Sequence, residues 1–476
     1  MPEMMSIESI MRRIRKVHFV GIGGAGMSGI ADVMHHLGYQ ISGSDIAENA
    51  ATEHLKLAGV KIFMSHQAKH IEGVDVVVTS TAIDDDNIEV QTAQALRIPV
   101  VPRAEMLAEI MRFSLGIAVA GTHGKTTTTS LIASILAEGG LDPTYVIGGK
   151  LNSSAKHARL GKSKYLVAEA DESDASFLYL QPIIAVVTNI DADHLSTYGG
   201  DFKRLKQTFI EFLHHLPFYG LAVICVDDAE VSSILADINR PVIRYGIEQE
   251  ADISATNIVF NGEQTQFDVF LPETEQAIPI TLNMPGRHNV LNALAAISVA
   301  NELGVTTTAI QRSLAEFAGI GRRMHQYGKI SLHENDPAAS IMLVDDYAHH
   351  PTEIAATLAA VRSGWPDKRL VVAFQPHRYT RTRDLFEDFS LVLADMDVLI
   401  LTEVYAAGEQ PIAGADGRAL CAAIRARGKV NPVFIDDVND LCETLKTIVQ
   451  AGDLVLTLGA GSIGRVASTL KQLCKR

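Results

Sequence analysis

Residues 117–126 read Ile-Ala-Val-Ala-Gly-Thr-His-Gly-Lys-Thr. The apolar run at the start predicts a buried strand, and the amphipathic stretch 126–138 that follows predicts a helix. A glycine-rich turn between a strand and a helix presents backbone N–H groups to phosphate oxygens. In such a turn Lys125 can reach the β- and γ-phosphates, and the Thr126 hydroxyl can bind Mg²⁺. The segment therefore predicts a nucleotide-binding α/β domain.

The spacing of this turn departs from the usual P-loop. In the common pattern G-x-x-x-x-G-K-[ST] a glycine would occupy the position of Val119, whereas here Gly121 lies three residues before Gly124. The strand before the turn and the helix after it still supply the context that phosphate binding needs. We therefore interpret residues 121–126 as a shortened P-loop for ATP.

A second glycine-rich turn lies near the amino terminus. Residues 21–26 read Gly-Ile-Gly-Gly-Ala-Gly, between a predicted strand, 17–20, and a predicted helix, 27–37. This G-x-G-x-x-G spacing is typical of turns that bind a nucleotide diphosphate, and Asp45, after the second strand, can accept a hydrogen bond from a ribose hydroxyl. Two phosphate-binding turns in one chain suggest an enzyme that uses ATP to join a nucleotide-linked substrate to a second molecule.

Short β-branched runs alternate with helix-length amphipathic stretches along most of the 476 residues, which predicts the α/β class. At roughly 150 residues per domain, this length suggests three domains. We predict a Rossmann-like sheet over 1–112, a P-loop ATPase-type sheet over 113–326 and a Rossmann-like doubly wound sheet over 327–476. Alternating short segments with turn signals over 251–282 predict a small antiparallel patch in the central domain.

The individual elements follow from the same patterns. We predict strands at 17–20, 40–42, 75–79, 117–120, 165–168, 183–187, 341–344, 370–374, 398–401, 433–435 and 454–458. We predict helices at 27–37, 126–138, 289–303 and 306–317. The run 84–86, Asp-Asp-Asp, is expected in a solvated loop.

Composition excludes several classes of protein. The formal net charge of −15, from 41 Lys and Arg against 56 Asp and Glu, disfavours binding to nucleic acid or anionic lipid. The four cysteines are scattered without a C-x-x-C pair, so we expect neither a disulfide framework nor a structural zinc site. The longest apolar runs are strand-sized and no secretion signal is recognisable, so we expect no membrane insertion and a cytoplasmic location.

Polar groups follow two further predicted strands. Residues 169–174 read Glu-Ala-Asp-Glu-Ser-Asp, and residues 188–194 read Thr-Asn-Ile-Asp-Ala-Asp-His. Ligands of open α/β sheets bind at the carboxyl ends of the strands, and carboxylates with phosphate oxygens are the ligands that Mg²⁺ prefers. We expect a magnesium site here, and His194 could ligate a second Mg²⁺ or act as a proton carrier.

The last domain contains a local concentration of positive charge. Residues 377–383 read His-Arg-Tyr-Thr-Arg-Thr-Arg in an otherwise acidic protein. Arginine recognises carboxylates through two parallel hydrogen bonds, so this cluster is where we expect a substrate carboxylate to bind.

Together these segments resemble the Mur ligase family over essentially the whole chain. The resemblance rests on 121–126, 169–174, Asp193-His194, Gly286-Arg287-His288-Asn289-Val290-Leu291-Asn292-Ala293, Arg322-Arg323, Asp345-Asp346-Tyr347-Ala348-His349-His350-Pro351 and 375–383. The shortened P-loop is itself typical of that family. Within the family the match is to the branch that joins L-alanine to UDP-N-acetylmuramate in bacterial peptidoglycan synthesis.

The resemblance implies a reaction and its cofactors. ATP, with Mg²⁺ or Mn²⁺, phosphorylates the lactyl carboxylate of UDP-N-acetylmuramate, and the amine of L-alanine then attacks the acyl phosphate. An amide forms and ADP and phosphate leave. Because two anions must meet, the γ-phosphate and the carboxylate, this chemistry needs a metal ion and a lysine at their point of contact.

The resemblance also assigns roles to residues. Lys125, His194, Arg378 and Arg381 are the predicted catalytic residues. ATP is expected at Gly121, Thr122, His123, Gly124, Lys125, Thr126, Thr127, His288, Asn292, Arg323 and Asp345. The metal is expected at Thr126, Glu169 and His194. UDP-N-acetylmuramate is expected at Gly21, Gly23, Gly24, Gly26, Met27, Ser28, Asp45 and Ser80. L-Alanine is expected at Tyr347, His349, His377, Arg378 and Arg381.

Several alternatives stay open at this point. An NAD-dependent oxidoreductase would use 21–26 but leave 121–126 without a purpose, and a nucleotide sensor would bind both ligands without releasing phosphate. The muropeptide-recycling ligase shares much of the pattern but lacks the first glycine string, and folylpolyglutamate synthases lack the first domain. Residues 459–464 form another G-x-G-x-x-G, and the family resemblance implies a strand-to-helix turn of the third domain here, which is either structural or a loop near the site. The candidates for the general base are His194, His349 and His377. Carbamoylation of Lys203 or Lys206 and the choice between monomer and homodimer also stay open.

Overall fold

The computed structural model describes residues 11–473 apart from 12, 153–155, 273, 275, 334 and 335. Within these residues the strands form three sheets, each flanked by helices, which confirms the predicted three-domain α/β class. Among the same residues, no helix is both long enough and apolar enough to cross a lipid bilayer.

The first sheet is parallel, and its strand order is β3-β2-β1-β4-β5. Its strands are β1 Lys16–Val20, β2 Gln40–Ser44, β3 Lys61–Phe63, β4 Val76–Thr79 and β5 Val100–Pro102. Its helices are α1 Ala25–His36, α2 Ala50–Leu57, α3 Ile88–Ala95 and α4 Arg103–Met111. The strand order reverses beside β1, so the turn after β1 lies at the crevice where open α/β sheets bind ligands.

The central sheet is mixed, and its order is β15-β14-β13-β12-β11-β10-β6-β9-β7-β8. Its strands are β6 Leu115–Ala120, β7 Thr144–Leu151, β8 Lys156–Arg159, β9 Tyr165–Glu169, β10 Ile184–Val187, β11 Leu221–Cys225, β12 Val242–Gly246, β13 Ile253–Asn261, β14 Gln264–Phe270 and β15 Ile278–Leu282. Its helices are α5 Lys125–Glu138, α6 Phe202–His214, α7 Ala229–Ser233, α8 Arg287–Glu302 and α9 Thr307–Ala315.

Two features of this sheet bear on the predictions. Strand β6 pairs in parallel with both β9 and β10, so the segments that follow these three strands emerge at one edge. Strands β13 and β14 are neighbours joined by the two-residue connection Gly262-Glu263, the length typical of an antiparallel hairpin, and β15 lies beside β14. This hairpin lies where the antiparallel patch was predicted.

The third sheet has the order β16-β17-β21-β18-β19-β20, and the pair β16 and β17 is antiparallel while the others are parallel. Its strands are β16 His325–His333, β17 Asp336–Asp346, β18 Leu370–Phe374, β19 Val398–Thr402, β20 Val433–Ile435 and β21 Leu454–Leu458. Its helices are α10 Pro351–Gly364, α11 Tyr379–Asp384, α12 Phe386–Val392, α13 Gly417–Ala426, α14 Leu441–Ile448 and α15 Gly464–Leu473. Val371 and Val372 are buried in different apolar clusters, which shows that both faces of the sheet are covered, as a doubly wound fold requires.

The chain packs into two compact units. The first consists of Met1–Ile258, Phe267–Leu282 and Asn289–Ala318, and the second of Val259–Gln266, Asn283–His288 and Gly319–Arg476. In the first unit helix α1 packs against β7 and β8, and a Cβ on Gly29 of α1 would lie 3.2 Å from the Cβ of Ala158. The first and central sheets therefore share one core, and the domain limits at 112/113 and 326/327 stay predictions.

Candidate active site

The predicted P-loop forms the connection between β6 and α5. Gly121 and Gly124 both have left-handed φ angles, 129° and 84°. A Cβ on Gly121 would lie 2.1 Å from Oγ1 of Thr188, and a Cβ on Gly124 would lie 2.6 Å from Oδ1 of Asn292. Both positions therefore require glycine, for conformation and for space. The turn has the tight backbone that the sequence predicted.

The end of strand β10 holds the P-loop through a set of hydrogen bonds. The backbone N–H of His123 donates to Oδ1 of Asn189 at 2.8 Å, and Nδ2 of Asn189 donates back to the His123 carbonyl at 3.0 Å. The Thr188 hydroxyl donates to the same carbonyl at 2.6 Å. The backbone N–H of Asp191 donates to the Thr122 hydroxyl at 2.9 Å. We expected metal ligands in this segment and missed its role as a clamp on the loop.

Lys125 lies folded over the loop that precedes it. Its Nζ donates to the carbonyls of Gly121 at 2.6 Å and Thr122 at 3.1 Å, and to the Glu172 carboxylate at 2.7 Å and 3.0 Å. Burial alone would lower the pKa of Lys125, but the carboxylates of Glu172 and Asp171 outweigh it and raise the pKa. Lys125 is therefore a fixed positive charge at the start of α5.

Glu172 is the acidic partner of this lysine. Its side chain is buried, and burial raises its pKa to about 7 against the opposing charge of Lys125. The backbone carbonyl of Glu172 accepts a hydrogen bond from the Tyr198 hydroxyl. From the sequence, the acidic residues of 169–174 could not be told apart. The structure shows that Glu172 is the one whose carboxylate accepts hydrogen bonds from Lys125.

The predicted metal ligands occupy neighbouring positions at the carboxyl edge of the central sheet. Thr126 lies in the first turn of α5, Glu169 ends β9, and His194 follows β10. Oε1 of Glu169 accepts a hydrogen bond from the backbone N–H of Gly148 at 2.6 Å, and Nε2 of His194 lies 3.4 Å from Oδ2 of Asp193. The hydroxyl of Thr126 and the carboxylate of Glu169 are oxygen donors of the kind that Mg²⁺ and Mn²⁺ prefer, whereas the imidazole of His194 is a nitrogen donor.

Two further residues that were predicted near ATP, Asn292 and Thr127, lie next to the P-loop. Oδ1 of Asn292 accepts a hydrogen bond from the Thr128 hydroxyl at 3.2 Å and is the atom nearest the missing Cβ of Gly124. Asn292 therefore lies against both Gly124 of the P-loop and Thr128 of α5. Thr127, the third residue of α5, is buried in the same helix.

The amino-terminal glycine turn is held by the residues that end β2. The N–H groups of Gly21 and Ile22 both donate to the carbonyl of Ser44, at 2.8 Å and 3.0 Å. The N–H of Gly23 donates to Oδ2 of Asp45 at 2.8 Å. In this structure Asp45 thus supports the turn, and its predicted contact with a ribose stays a prediction.

Helix α1 begins directly after this turn. Gly24 is its N-cap residue, no side chain of the described residues caps it, and its first turn holds no acidic residue. The N–H groups of a first helical turn lack partners within the helix and attract an anion. Met27 and Ser28 are buried beneath that turn, and Ser80 follows β4 at the same edge of the sheet. The geometry fits the predicted diphosphate site.

Arg103 is a candidate residue that sequence reasoning missed. A Cβ on Gly26 would lie 2.6 Å from its Nη1, and its Nη2 lies 3.3 Å from Oδ2 of Asp171. Arg103 thus lies between the amino-terminal glycine turn and the acidic segment beside the P-loop. One signal was available, because Arg103 is a basic residue at the first position of a helix directly after a parallel strand.

In the second unit, Tyr347 lies under two guanidinium groups. The Cζ atoms of Arg322 and Arg323 each lie 5.2 Å from the centroid of its ring. Nη1 of Arg323 is 3.7 Å from Oε1 of Glu353, and Nδ1 of His349 is 3.1 Å from Oε2 of the same carboxylate. Glu353 therefore positions two of the predicted site residues.

His377 joins this group to the predicted carboxylate-binding arginines. Its ring centroid lies 5.8 Å from that of His349 and 5.5 Å from that of Tyr405. Nη1 of Arg381 lies 3.5 Å from its Nδ1. Burial first, and then repulsion from His349 and the two arginines, lower the pKa of His377 to about 4. Arg378 has a φ angle of 71°, a strained conformation for a residue other than glycine. The structure thus brings the five residues predicted for L-alanine into one cluster.

His288 and Asp345, both predicted near ATP, are also in the second unit. Burial, followed by repulsion from Arg323, lowers the pKa of His288 to about 4, so its ring is neutral at pH 7. Asp345 is fully buried, and its two oxygens accept hydrogen bonds from Arg322 at 2.9 Å and from Thr457 at 2.6 Å. The predicted roles of both residues at ATP stay predictions.

The third glycine pattern, residues 459–464, connects β21 to α15. Its carbonyls face a cation of the same chain, since Nη2 of Arg322 donates to Gly459 at 2.6 Å and Nη1 to Gly461 at 3.5 Å. The N–H of Ile463 donates to Oε1 of Gln375 at 2.9 Å. The predicted strand-to-helix turn is confirmed, and whether its role is structural or it lies near the site stays a prediction.

Three family models match the chain in succession. They are the Mur ligase family catalytic domain over 16–114, the Mur ligase middle domain over 119–300 and the Mur ligase glutamate ligase domain over 322–461. The chain belongs to the Mur ligase family. The resemblance stated from the sequence is thereby confirmed, and the three matches follow the three sheets of this Mur ligase in order.

Individual Mur ligases are similar to this one over nearly their whole length. A UDP-N-acetylmuramate–L-alanine ligase of Aromatoleum aromaticum is 58% identical over 461 residues, which cover 96% of this chain and 98% of that protein. The crystal structure of UDP-N-acetylmuramate-alanine ligase MurC from Thermotoga maritima is 29% identical with a TM-score of 0.81, covering 97% of this chain and 99% of that one. A murein peptide ligase from Psychrobacter arcticus is 25% identical with a TM-score of 0.69, covering 97% and 98%.

Proposed function

We propose that this Mur ligase joins L-alanine to the lactyl carboxylate of UDP-N-acetylmuramate, with hydrolysis of ATP to ADP and phosphate, in peptidoglycan synthesis. The observation that carries the proposal is the 58% identity over 461 residues to a UDP-N-acetylmuramate–L-alanine ligase. The lower identity and TM-score of the murein peptide ligase favour the alanine ligase over the recycling enzyme.

The proposed reaction has two chemical steps. An oxygen of the lactyl carboxylate attacks the γ-phosphorus of ATP, the bond from that phosphorus to the β–γ bridging oxygen breaks, and ADP leaves. The amine of L-alanine then attacks the acyl carbon, and the tetrahedral intermediate collapses to the amide with loss of phosphate and a proton. Each step brings together or creates negative charge, which the site must stabilise.

Residues of the central sheet fit the first step. The P-loop backbone and Lys125 would bind the β- and γ-phosphates, since Lys125 is a fixed positive charge at the start of α5. The uncapped start of α1 would bind the diphosphate of the UDP-sugar. Thr126, Glu169 and His194 would hold Mg²⁺ or Mn²⁺, which when bound neutralises phosphate charge and polarises the phosphoryl group.

Residues of the second unit fit recognition of the amino acid. Arg378 and Arg381 carry two guanidinium groups next to the neutral ring of His377. Guanidinium groups bind a carboxylate with directional hydrogen bonds, so this cluster would hold the carboxylate of L-alanine. Tyr347 and His349 complete the set. The general base for the alanine amine is not assigned.

The test is phosphate release from ATP with UDP-N-acetylmuramate held constant and the twenty amino acids supplied singly. We expect L-alanine to give the highest rate and omission of the UDP-sugar to abolish release. A change in nicotinamide absorbance on turnover would instead indicate an oxidoreductase, and binding of both ligands without phosphate release would indicate a sensor.

We also propose domain limits at 112/113 and 326/327, and a bacterial cytoplasmic location where ATP and nucleotide sugars are available.

A further inference from the structure

A buried carboxylate lies behind the amino-terminal glycine turn. Glu89, in helix α3, is fully buried in the first unit. Its Oε2 accepts a hydrogen bond from the Ser44 hydroxyl at 2.5 Å and lies 2.9 Å from Nδ1 of His66. Its Oε1 lies 2.7 Å from Nδ1 of His70 and 3.6 Å from Nε2 of His18. A single carboxylate thus contacts residues of β1 and β2 and of the segment that follows β3.

These contacts are strong enough to keep the carboxylate charged. Burial alone would raise the pKa of Glu89, but its interactions with His18, Ser44 and His66 lower it to about 2. Both oxygens of the buried carboxylate have polar partners, and moving one of these partners would leave a buried polar group without a hydrogen bond. The cluster therefore imposes a defined geometry on the residues around Glu89.

Ser44 links Glu89 to the glycine turn. Ser44, the hydroxyl donor to Glu89, is the residue whose carbonyl accepts the N–H groups of both Gly21 and Ile22. The next residue, Asp45, accepts the N–H of Gly23. The residues at the end of β2 therefore fix the positions of three consecutive N–H groups of the turn. Glu89, in turn, fixes the position of Ser44 at the end of β2.

We propose that Glu89 is a positioning residue for the diphosphate of the nucleotide-linked substrate, acting through Ser44 on the glycine turn before α1. This rests on the proposed function, which places that diphosphate at the start of α1. Glu89 touches no reacting atom, so its loss affects binding of the uridine diphosphate and leaves the ATP site intact. The P-loop lies after β6 of the central sheet, and its holding residues Thr188 and Asn189 belong to that sheet.

The experiment measures binding of uridine diphosphate and of ATP separately, by calorimetry, to the full chain. In Glu89→Gln the charged acceptor is lost while shape is kept, and we expect the Kd for uridine diphosphate to rise about tenfold or more. The Kd for ATP should change less than about twofold. Glu89→Asp, which keeps the charge, should recover part of the loss.

Val90→Ala is the matched control, because Val90 is the buried neighbour of Glu89 in α3 and the substitution removes packing from the same helix while keeping the carboxylate. We expect it to leave both Kd values within about twofold of the wild type. Equal loss of uridine diphosphate binding in Val90→Ala, or an unchanged Kd in Glu89→Gln, would overturn the proposal.

A second variant tests the proposal even if Glu89→Gln does not fold. If Glu89→Gln does not fold, Ser44→Ala removes only the hydroxyl that links Glu89 to the turn, and it should weaken uridine diphosphate binding in the same direction. An unchanged Kd in Ser44→Ala would then count against the proposal. A wild-type protein that binds no uridine diphosphate would contradict the proposed function itself, which separates the two failures.

Discussion

Nζ of Lys125, the first residue of α5, lies 2.7 Å from Oε2 of Glu172; the lysine side chain is half-buried and the glutamate side chain is buried. The lysine that we assign to the phosphates of ATP is thus already paired with a carboxylate of its own chain. A phosphate that binds Lys125 competes with this carboxylate for the same ammonium.

We predict that Glu172→Gln lowers the Kd for ATP about threefold, because it removes the competing charge and keeps the side-chain volume. Isothermal titration with ATP checks this, with Asp174→Asn as the control in the same acidic segment. Weaker binding in Glu172→Gln would show instead that the carboxylate holds Lys125 in its binding position.

Lys125→Ala should abolish phosphate release while leaving the Kd for the UDP-sugar within about twofold. The physical reason is that the lysine supplies charge to the phosphates of ATP, whereas the UDP-sugar is assigned to the turn before α1. Steady-state phosphate release and a binding titration measure the two effects. Equal loss of both would contradict this division of labour.

Arg378→Ala should raise the KM for L-alanine about tenfold or more, since a charged hydrogen bond to the substrate carboxylate is lost. The KM for ATP should stay within about twofold. Arg383→Ala is a suitable control, because Arg383 pairs with Asp384 on the exposed side of α11. A selective loss of ATP affinity in Arg378→Ala would move the amino-acid site elsewhere.

Activity should require a divalent cation. Treatment with EDTA should abolish phosphate release, and Mg²⁺ or Mn²⁺ should restore it, because two anions react in the first step. Full activity in EDTA would contradict the roles assigned to Thr126, Glu169 and His194.

The lowered pKa of His288 makes a prediction about stability and pH. Its pKa is about 4 in the folded chain and 6.5 in the reference state, so between these values the unfolded chain binds the proton and the folded chain does not. The free energy of unfolding should therefore fall as pH decreases from 6.5 to 4, by up to about 3 kcal/mol from this residue. His288→Gln should show a smaller fall over that window in chemical denaturation. An identical pH dependence in both proteins would contradict the burial of a neutral ring.

Much of the fold was predictable from strand-sized apolar runs, because strands buried on both faces are continuous apolar segments. Strands β20 and β21 were predicted with the bounds that the structure has. Strands β3 and β5 were missed, since none of their residues is fully buried and their pairing with β2 and β4 depends on the whole sheet.

The site was predictable where backbone geometry demands particular residues and less so where it depends on distant pairs. The glycines of 121–126 can be recognised because only glycine fits their φ angles. The clamp by Asn189 and the bridge by Arg103 join residues that lie 66 and 68 positions apart in sequence. No local pattern specifies such pairs, so they appear only once the strand order is known.

The guanidinium of Arg322 inside the turn 459–464 has a bearing on inhibitor design. A compound built around a pyrophosphate mimic would face carbonyl oxygens in this turn, which repel its negative charge. The cation nearby, Arg322, already donates its hydrogen bonds to those carbonyls. Such a compound should select the turns at 21–26 and 121–126 and spare this one. A small cationic fragment that displaces Arg322 would also release Asp345 and so loosen the end of β17, directly before Tyr347.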